Sequence, residues 1–238
     1  MEKQLTRSSE RMPTLLGWLD SKHSFSFGGN YDPERMGFGP LRVVNDDIVA
    51  PGGGFPPHPH RDMEIVSIVL EGQLAHKDSM GNGRVIEAGD IQYMSAGSGV
   101  THSEFNPSED QPVHFMQIWI QPNAQGLAPL YADRKLMPPE ANQWQLVLAP
   151  SESESEGAIR IRQDATLRTV RLDAGVALAH PMVEAGRGLW VFVIEGSIIV
   201  AGETLEAGDS LALSELSETP NFVGISEPAR VLVFDLKV

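Results

Sequence analysis

Short β-branched or aromatic runs alternate with Gly- and Pro-containing breaks along the chain, and hardly any window keeps apolar residues at a 3.6-residue spacing through three turns. That pattern predicts an all-β protein with helix as a minor component. Strands are expected at Leu41 to Val44, Glu64 to Leu70, Asp90 to Met94, Phe115 to Ile120, Gln145 to Leu148, Ala158 to Arg162, Trp190 to Ile194, Ser197 to Val200, Ser210 to Ala212 and Arg230 to Leu236. Turn or breaker chemistry separates them at Glu71-Gly72, Gly81-Asn82-Gly83, Gly89-Asp90, Asn106-Pro107 and Pro138-Pro139.

An internal repeat emerges once these strands are marked. Val69-Leu70-Glu71-Gly72 followed by Glu87-Ala88-Gly89-Asp90 recurs as Val193-Ile194-Glu195-Gly196 followed by Glu206-Ala207-Gly208-Asp209. Each copy reads as strand, tight turn, strand, then a Gly-Asp turn into a further strand, which suits an antiparallel barrel repeated twice. The break is expected near the proline-rich stretch from Gln121 to Pro139, giving domains over 1–135 and 136–238. The acidic run from Ser151 to Glu156 reads as a solvated loop.

Composition narrows the chemistry. The 238 residues are 41% hydrophobic and 21% charged, enough to bury a substantial core. Eighteen Lys and Arg against 32 Asp and Glu give a net charge of −14, the wrong sign for direct nucleic-acid or anionic-membrane binding. The absence of Cys excludes disulfides, thiolate metal sites and a cysteine nucleophile, so any metal must use His and carboxylate. Met1 to Leu19 lacks the apolar stretch of a signal peptide, and no segment approaches the ~20 apolar residues of a membrane-spanning helix. A soluble, cytoplasmic protein is expected.

The segment that carries chemistry runs Gly52-Gly53-Gly54-Phe55-Pro56-Pro57-His58-Pro59-His60-Arg61-Asp62-Met63-Glu64, with His102-Ser103-Glu104-Phe105-Asn106 further on. Along a strand His58, His60, Asp62 and Glu64 share one parity, and His102 and Glu104 share a face of their own strand. If the two strands face each other inside a barrel, three imidazoles and one carboxylate surround a single point. Such a set suits divalent iron, manganese, cobalt, nickel, copper or zinc. Taken singly, His58-Pro59-His60 can be an exposed turn and Glu104 a surface carboxylate. Burying these groups without a partner is costly, however, and a metal removes the cost. His23 is read as a capping or surface residue, and His76 and His114 as wall or core residues of strands. His180-Pro181-Met182 stands where His58-Pro59-His60 would in the second copy, but one imidazole makes no site, so the C-terminal barrel is expected to be metal-free. Gly81-x-Gly83 does not continue into a dinucleotide fingerprint, and neither a phosphate loop nor a serine elbow occurs.

Gly52, five residues, His58-x-His60, three residues and Glu64 resemble the first cupin motif, with Gly72 one position late. Gly89 to Asn106 resembles the second, with Ser95 in place of the usual Pro and an insertion around Gly97-Ser98-Gly99. More specifically, the chain resembles the pirin family in Phe25-Ser26-Phe27, Tyr31-Asp32-Pro33, Met36-Gly37-Phe38-Gly39 and Leu41-Arg42-Val43-Val44-Asn45-Asp46-Asp47. So do His58-Pro59-His60-Arg61-Asp62-Met63-Glu64, Asp78-Ser79-Met80-Gly81-Asn82 and Ser95-Ala96-Gly97-Ser98-Gly99-Val100-Thr101-His102-Ser103-Glu104. The likeness is dense from Gly17 to Pro122 and thinner beyond.

The resemblance implies two tandem cupin (jelly-roll) barrels, the first holding one metal through His58, His60, His102 and Glu104. A general cupin would use Glu64 instead; here Glu64 falls to a supporting role, and Asp62 is a candidate to orient an imidazole. Iron(II) is the metal implied foremost, with nickel, copper, manganese, cobalt and zinc compatible. The implied activity is that of a quercetin 2,3-dioxygenase, with a flavonol and O2 as substrates. Glu104 would then be both ligand and base for the flavonol hydroxyl, and Phe25, Phe27, Phe38, Met63 and Phe105 apolar lining. A monomer is expected. The alternative is a metal- or redox-responsive regulator whose acidic surface favours a basic protein partner; a cupin isomerase or decarboxylase is a third reading.

Overall fold

The computed structural model describes residues 1–238 except 137, 139 and 227. One residue of the break expected at Pro138-Pro139 therefore lies outside the described residues. The chain forms two units, one made of Met12–Met137 with Ile161–Gln163, the other of Met1–Arg11, Pro138–Arg160 and Asp164–Val238.

Strand β1 (Glu2–Thr6) and a short 3-10 turn at Ser8–Glu10 open the chain and belong to the second unit. The first unit holds β2 (Met12–Leu16), β3 (Leu19–His23), β4 (Leu41–Val49), β5 (Gly54–His60), β6 (Glu64–Glu71), β7 (Gln73–Asp78), β8 (Gly83–Glu87), β9 (Asp90–Ser95), β10 (Val100–Phe105), β11 (Val113–Ile120) and β12 (Leu130–Lys135). They form a seven-stranded sheet in the order β12-β9-β6-β11-β4-β3-β2 and a four-stranded sheet in the order β5-β10-β7-β8. Neighbouring strands in both sheets pair antiparallel. Inward residues of both sheets close one core: Leu19, Val49, Val69, Val113 and Phe115 of the larger pack with Phe55, Leu74 and Ile86 of the smaller. Further along the same strands the interior turns polar, which is where the candidate site lies.

The second unit repeats the plan with β13 (Gln145–Pro150), β14 (Ile159–Ile161), β15 (Ala165–Leu172), β16 (Ala177–Ala179), β17 (Arg187–Glu195), β18 (Ser197–Val200), β19 (Glu203–Glu206), β20 (Ser210–Ser214), β21 (Asn221–Gly224) and β22 (Ala229–Lys237). Its sheets run β1-β20-β17-β22-β15-β13-β14 and β16-β21-β18-β19. Val170, Leu189, Val191, Leu211, Val231 and Val233 of the first meet Ile198, Val200, Leu205 and Phe222 of the second.

The repeat is structural as well as sequential. Gly72 and Gly196 both sit at φ +75°, and a Cβ on either would come within 2.5 Å of a carbonyl oxygen, that of Pro112 or Pro228. A β-carbon fits at neither corner, so the two Glu-Gly pairs mark the same turn. The division differs from a simple cut at 135/136 at the N-terminus. There Glu2–Thr6 pairs with Ser210–Ser214 and covers the edge of the C-terminal sheet. Among the described residues no helix is long and apolar enough to cross a membrane.

Candidate metal centre

Three neighbouring strands of the four-stranded sheet present the ionisable groups. On β10, Val100, His102 and Glu104 are buried and point inward, whereas Thr101 and Phe105 point outward. The register sets His102 opposite His58 on β5 and opposite Asp78 on β7, and Glu104 opposite His76. One donor atom each of His58, His60 and His102 lies within 4.8 Å of the others, and the same holds for His76, His102 and Glu104. His102 is common to both groups, so the four residues expected from the sequence meet in one region together with a fifth, His76.

Hydrogen bonds fix where the lone pairs are. His58 Nδ1 donates to the Pro56 carbonyl at 2.8 Å, which leaves the lone pair on Nε2, 3.1 Å from Nε2 of His102. His60 Nε2 and His102 Nδ1 are buried without a hydrogen-bond partner among the described residues. Burial, with His102 and His58 beside it, pushes His60 down to about 4; burial, with His58 and His76 beside it, pushes His102 down to about 3. Both rings are therefore neutral at pH 7 and offer lone pairs to a cation. Buried, unpartnered imidazole nitrogens beside a buried carboxylate fit a divalent transition metal.

The opposite sheet holds the carboxylate. Gln92 on β9, Ser67 on β6 and Gln117 on β11 form one row in register across three strands. Ser67 Oγ and Gln92 Nε2 donate to Glu104 Oε1 at 3.0 and 3.1 Å, and Gln117 Nε2 donates to Oε2 at 3.0 Å. Glu64 lies elsewhere. Asp62 takes φ +48° and ends the extended run after His60, so the shared parity of His58, His60 and Glu64 is lost. Glu64 instead accepts bonds from Tyr93, Ser95 and the Arg162 amide. Asp62 accepts from the Gly126 amide at 2.7 Å. At the centre, the imidazole that a carboxylate orients is His76, through Asp78.

Family models agree with this architecture: one described as Pirin matches residues 5–120, and one described as quercetinase C-terminal cupin domain matches residues 147–236. The chain belongs to the pirin family. Both of its units are thus cupin barrels. A quercetin 2,3-dioxygenase of Escherichia coli strain K12 is 40% identical over 232 residues, covering 98% of this pirin and 97% of the relative. The crystal structure of the bacterial pirin YhhW from Escherichia coli, in complex with nickel(II), is 39% identical, covers 99% of each chain and superposes with a TM-score of 0.92. A quercetin 2,3-dioxygenase structure from Acinetobacter baumannii, 23% identical over 95% of this pirin and 85% of that chain with a TM-score of 0.75, shares the fold.

The remaining expected residues sort by parity. Phe27 stands edge-on to Trp119 at 5.3 Å, and Trp119 edge-on to His60 at 4.9 Å, so these two rings wall the centre of this pirin. Phe105 faces outward at 37% exposure and does not join that wall, whereas Met63 packs on Ile65, Met94 and Val100, the same cluster that Trp119 packs against. His23 is buried rather than exposed, bonded to Thr14 and Ser21. His114 bonds Asp46 at 2.6 Å as a residue of the barrel wall. In the second barrel, His180 Nδ1 donates to the Pro181 carbonyl, and its ring packs edge-on to Trp144. Sequence reasoning missed Trp119, the Gln92–Ser67–Gln117 row and His76. The usable signal for His76 was His76-x-Asp78, which alternates on one strand as His58-x-His60 does.

Proposed function

We propose that this protein is a metal-dependent quercetin 2,3-dioxygenase, cleaving a flavonol with O2. His58, His60, His102 and Glu104 hold one divalent metal, iron(II) in the native protein. What supports the reading is the convergence of donor nitrogens of His58, His60 and His102 next to a carboxylate locked by three donors. The relatives named as quercetin 2,3-dioxygenases supply the substrate.

A divalent ion in this set supplies Lewis acidity to the adjacent carbonyl and hydroxyl oxygens of the flavonol. The protein's own groups do the rest. Ser67, Gln92 and Gln117 keep Glu104 from swinging away, so its position does not change as charge builds up beside it. The Trp119 and Phe27 rings offer apolar edges to a flat aromatic ligand and keep water from the reacting oxygens. Neutral His60 and His102 remain metal-binding throughout the physiological pH range.

The test is anaerobic reconstitution with each first-row divalent metal, followed by quercetin and then oxygen. Loss of flavonol absorbance with release of carbon monoxide over many turnovers is expected. No turnover with any of the metals would reject the reading.

A further inference from the structure

Glu104 is short of capacity for the task of accepting the substrate's proton. A carboxylate has about four lone-pair sites on its two oxygens. Ser67, Gln92 and Gln117 already occupy three of them. Service as a metal ligand takes the fourth. A flavonol hydroxyl arriving at the centre therefore needs another acceptor.

His76 is built as that acceptor. Its side chain is fully buried, and Nε2 lies 3.1 Å from Asp78 Oδ2. Asp78 in turn accepts from Asn82 Nδ2 at 2.8 Å and from the Met80 and Asn82 amides at 2.9 and 3.0 Å. Burial alone would raise its pKa, but the Asn82 side chain, His76 and these amides outweigh burial and hold the carboxyl below its ordinary value. An ionised Asp78 only accepts, so the hydrogen of His76 sits on Nε2 and the lone pair on Nδ1. That Nδ1 is buried and has no partner among the described residues. Tyr131 stacks on the ring at 5.0 Å and donates from its hydroxyl to Gln92, which ties the orientation of His76 to the row that grips Glu104. The ring lies beside His102 and within the group that includes Glu104.

We propose that His76, aligned by Asp78, is the substrate-contacting residue that accepts the hydrogen bond of a hydroxyl on a metal-chelating ligand. This role belongs to His76 rather than Glu104, and it selects hydroxy-carbonyl substrates over analogues that lack the hydroxyl. The assignment rests on the flavonol reading above and names the contact that gives it specificity. A site made to bond a substrate hydroxyl rejects the deoxy analogue because its own buried acceptor is then left unpaired.

The experiment is a binding titration of the nickel(II)-loaded full chain without oxygen, using 3-hydroxyflavone and flavone as probes, with metal content measured on each sample. His76→Leu is expected to keep its nickel, to bind 3-hydroxyflavone at least about tenfold more weakly than wild type, and to bind flavone within about twofold of it. His76→Asn, which keeps a polar atom near the Nδ1 position, is expected to recover part of the loss. Unchanged affinity of His76→Leu for 3-hydroxyflavone overturns the assignment. Loss of nickel from both variants also overturns it, because His76 would then be a ligand. A wild-type protein that holds nickel but binds neither flavone overturns the flavonol reading itself and this assignment with it.

Discussion

Gln117→Glu exchanges one atom group for another of nearly the same shape and so isolates the electrostatics of the carboxylate row. Gln117 Nε2 lies 3.0 Å from Glu104 Oε2, inside the barrel, with Gln117 only 6% exposed. A carboxylate in its place puts two like charges at that distance, which at an effective dielectric constant of about 20 repel by about 5 kcal/mol. The pair has a cheaper state: one of the two carboxyls takes up a proton. Holding that proton at pH 7 on a group that ordinarily releases it near 4.3 costs about 4 kcal/mol. The smaller cost decides, so metal-free Gln117→Glu is expected to be less stable than wild type by about 3–4 kcal/mol at pH 7. For a chain of this size that lowers the thermal midpoint by about 8–15 °C. The sign of the pH dependence is specific. The proton is bound in the folded variant and released on unfolding at pH 7, so the deficit shrinks as pH falls towards 5. Thermal unfolding of chelator-treated wild type and variant at pH 7 and pH 5 measures both quantities. Equal midpoints at pH 7, with no relative gain at pH 5, would refute the inward, donor-gripped placement of Glu104.

Other consequences are simpler to read. Glu64→Gln is expected to retain its full metal content while Glu104→Gln loses most of it, since Glu64 is bonded by Tyr93, Ser95 and the Arg162 amide away from the imidazoles; elemental analysis of the two variants decides. Gly72→Ala forces a β-carbon into a left-handed backbone and against the Pro112 carbonyl, at a cost of at least about 2 kcal/mol in urea unfolding. His180 is buried, and that burial, despite its bond to the Pro181 carbonyl, pushes it down to about 4. The unfolded chain binds this proton at about 6.5, so the contribution is intact above that pH and is lost as pH falls towards 4. Between pH 7 and pH 5 the wild type is expected to lose about 2 kcal/mol more than His180→Gln, followed through the fluorescence of the neighbouring Trp144.

Strands whose inward residues are apolar were legible in the sequence, as in Glu64 to Leu70 within β6 and Arg230 to Leu236 within β22. β7 was legible only as the strand after the Glu71-Gly72 turn and without bounds, because its inward positions include His76 and Asp78 and the alternation of apolar and polar residues disappears. β15 was obscured by Arg168 and Arg171, and β1 by distance, since its partner β20 lies at the other end of the chain. Strand parity allowed His58, His60, His102 and Glu104 to converge, and the resemblance to pirins chose Glu104 over Glu64, but parity holds only within one continuous strand. The positive φ of Asp62 separates Glu64 from the His58 and His60 face. The supporting row left a fainter signal: Ser67, Gln92 and Gln117 are lone polar residues among Ile65-Val66, Ile91 and Met116, and a buried polar residue in an apolar strand calls for a partner. Which partner it has depends on the facing of two sheets, and no local pattern encodes that.

The most direct test of the metal centre is the metal content of His102→Ala beside that of wild type, both purified without added metal, with circular dichroism to verify the fold. His102 is common to both groups of donors. Close to one divalent metal per wild-type chain and almost none in a folded His102→Ala is the predicted result; the same occupancy in both proteins would contradict it.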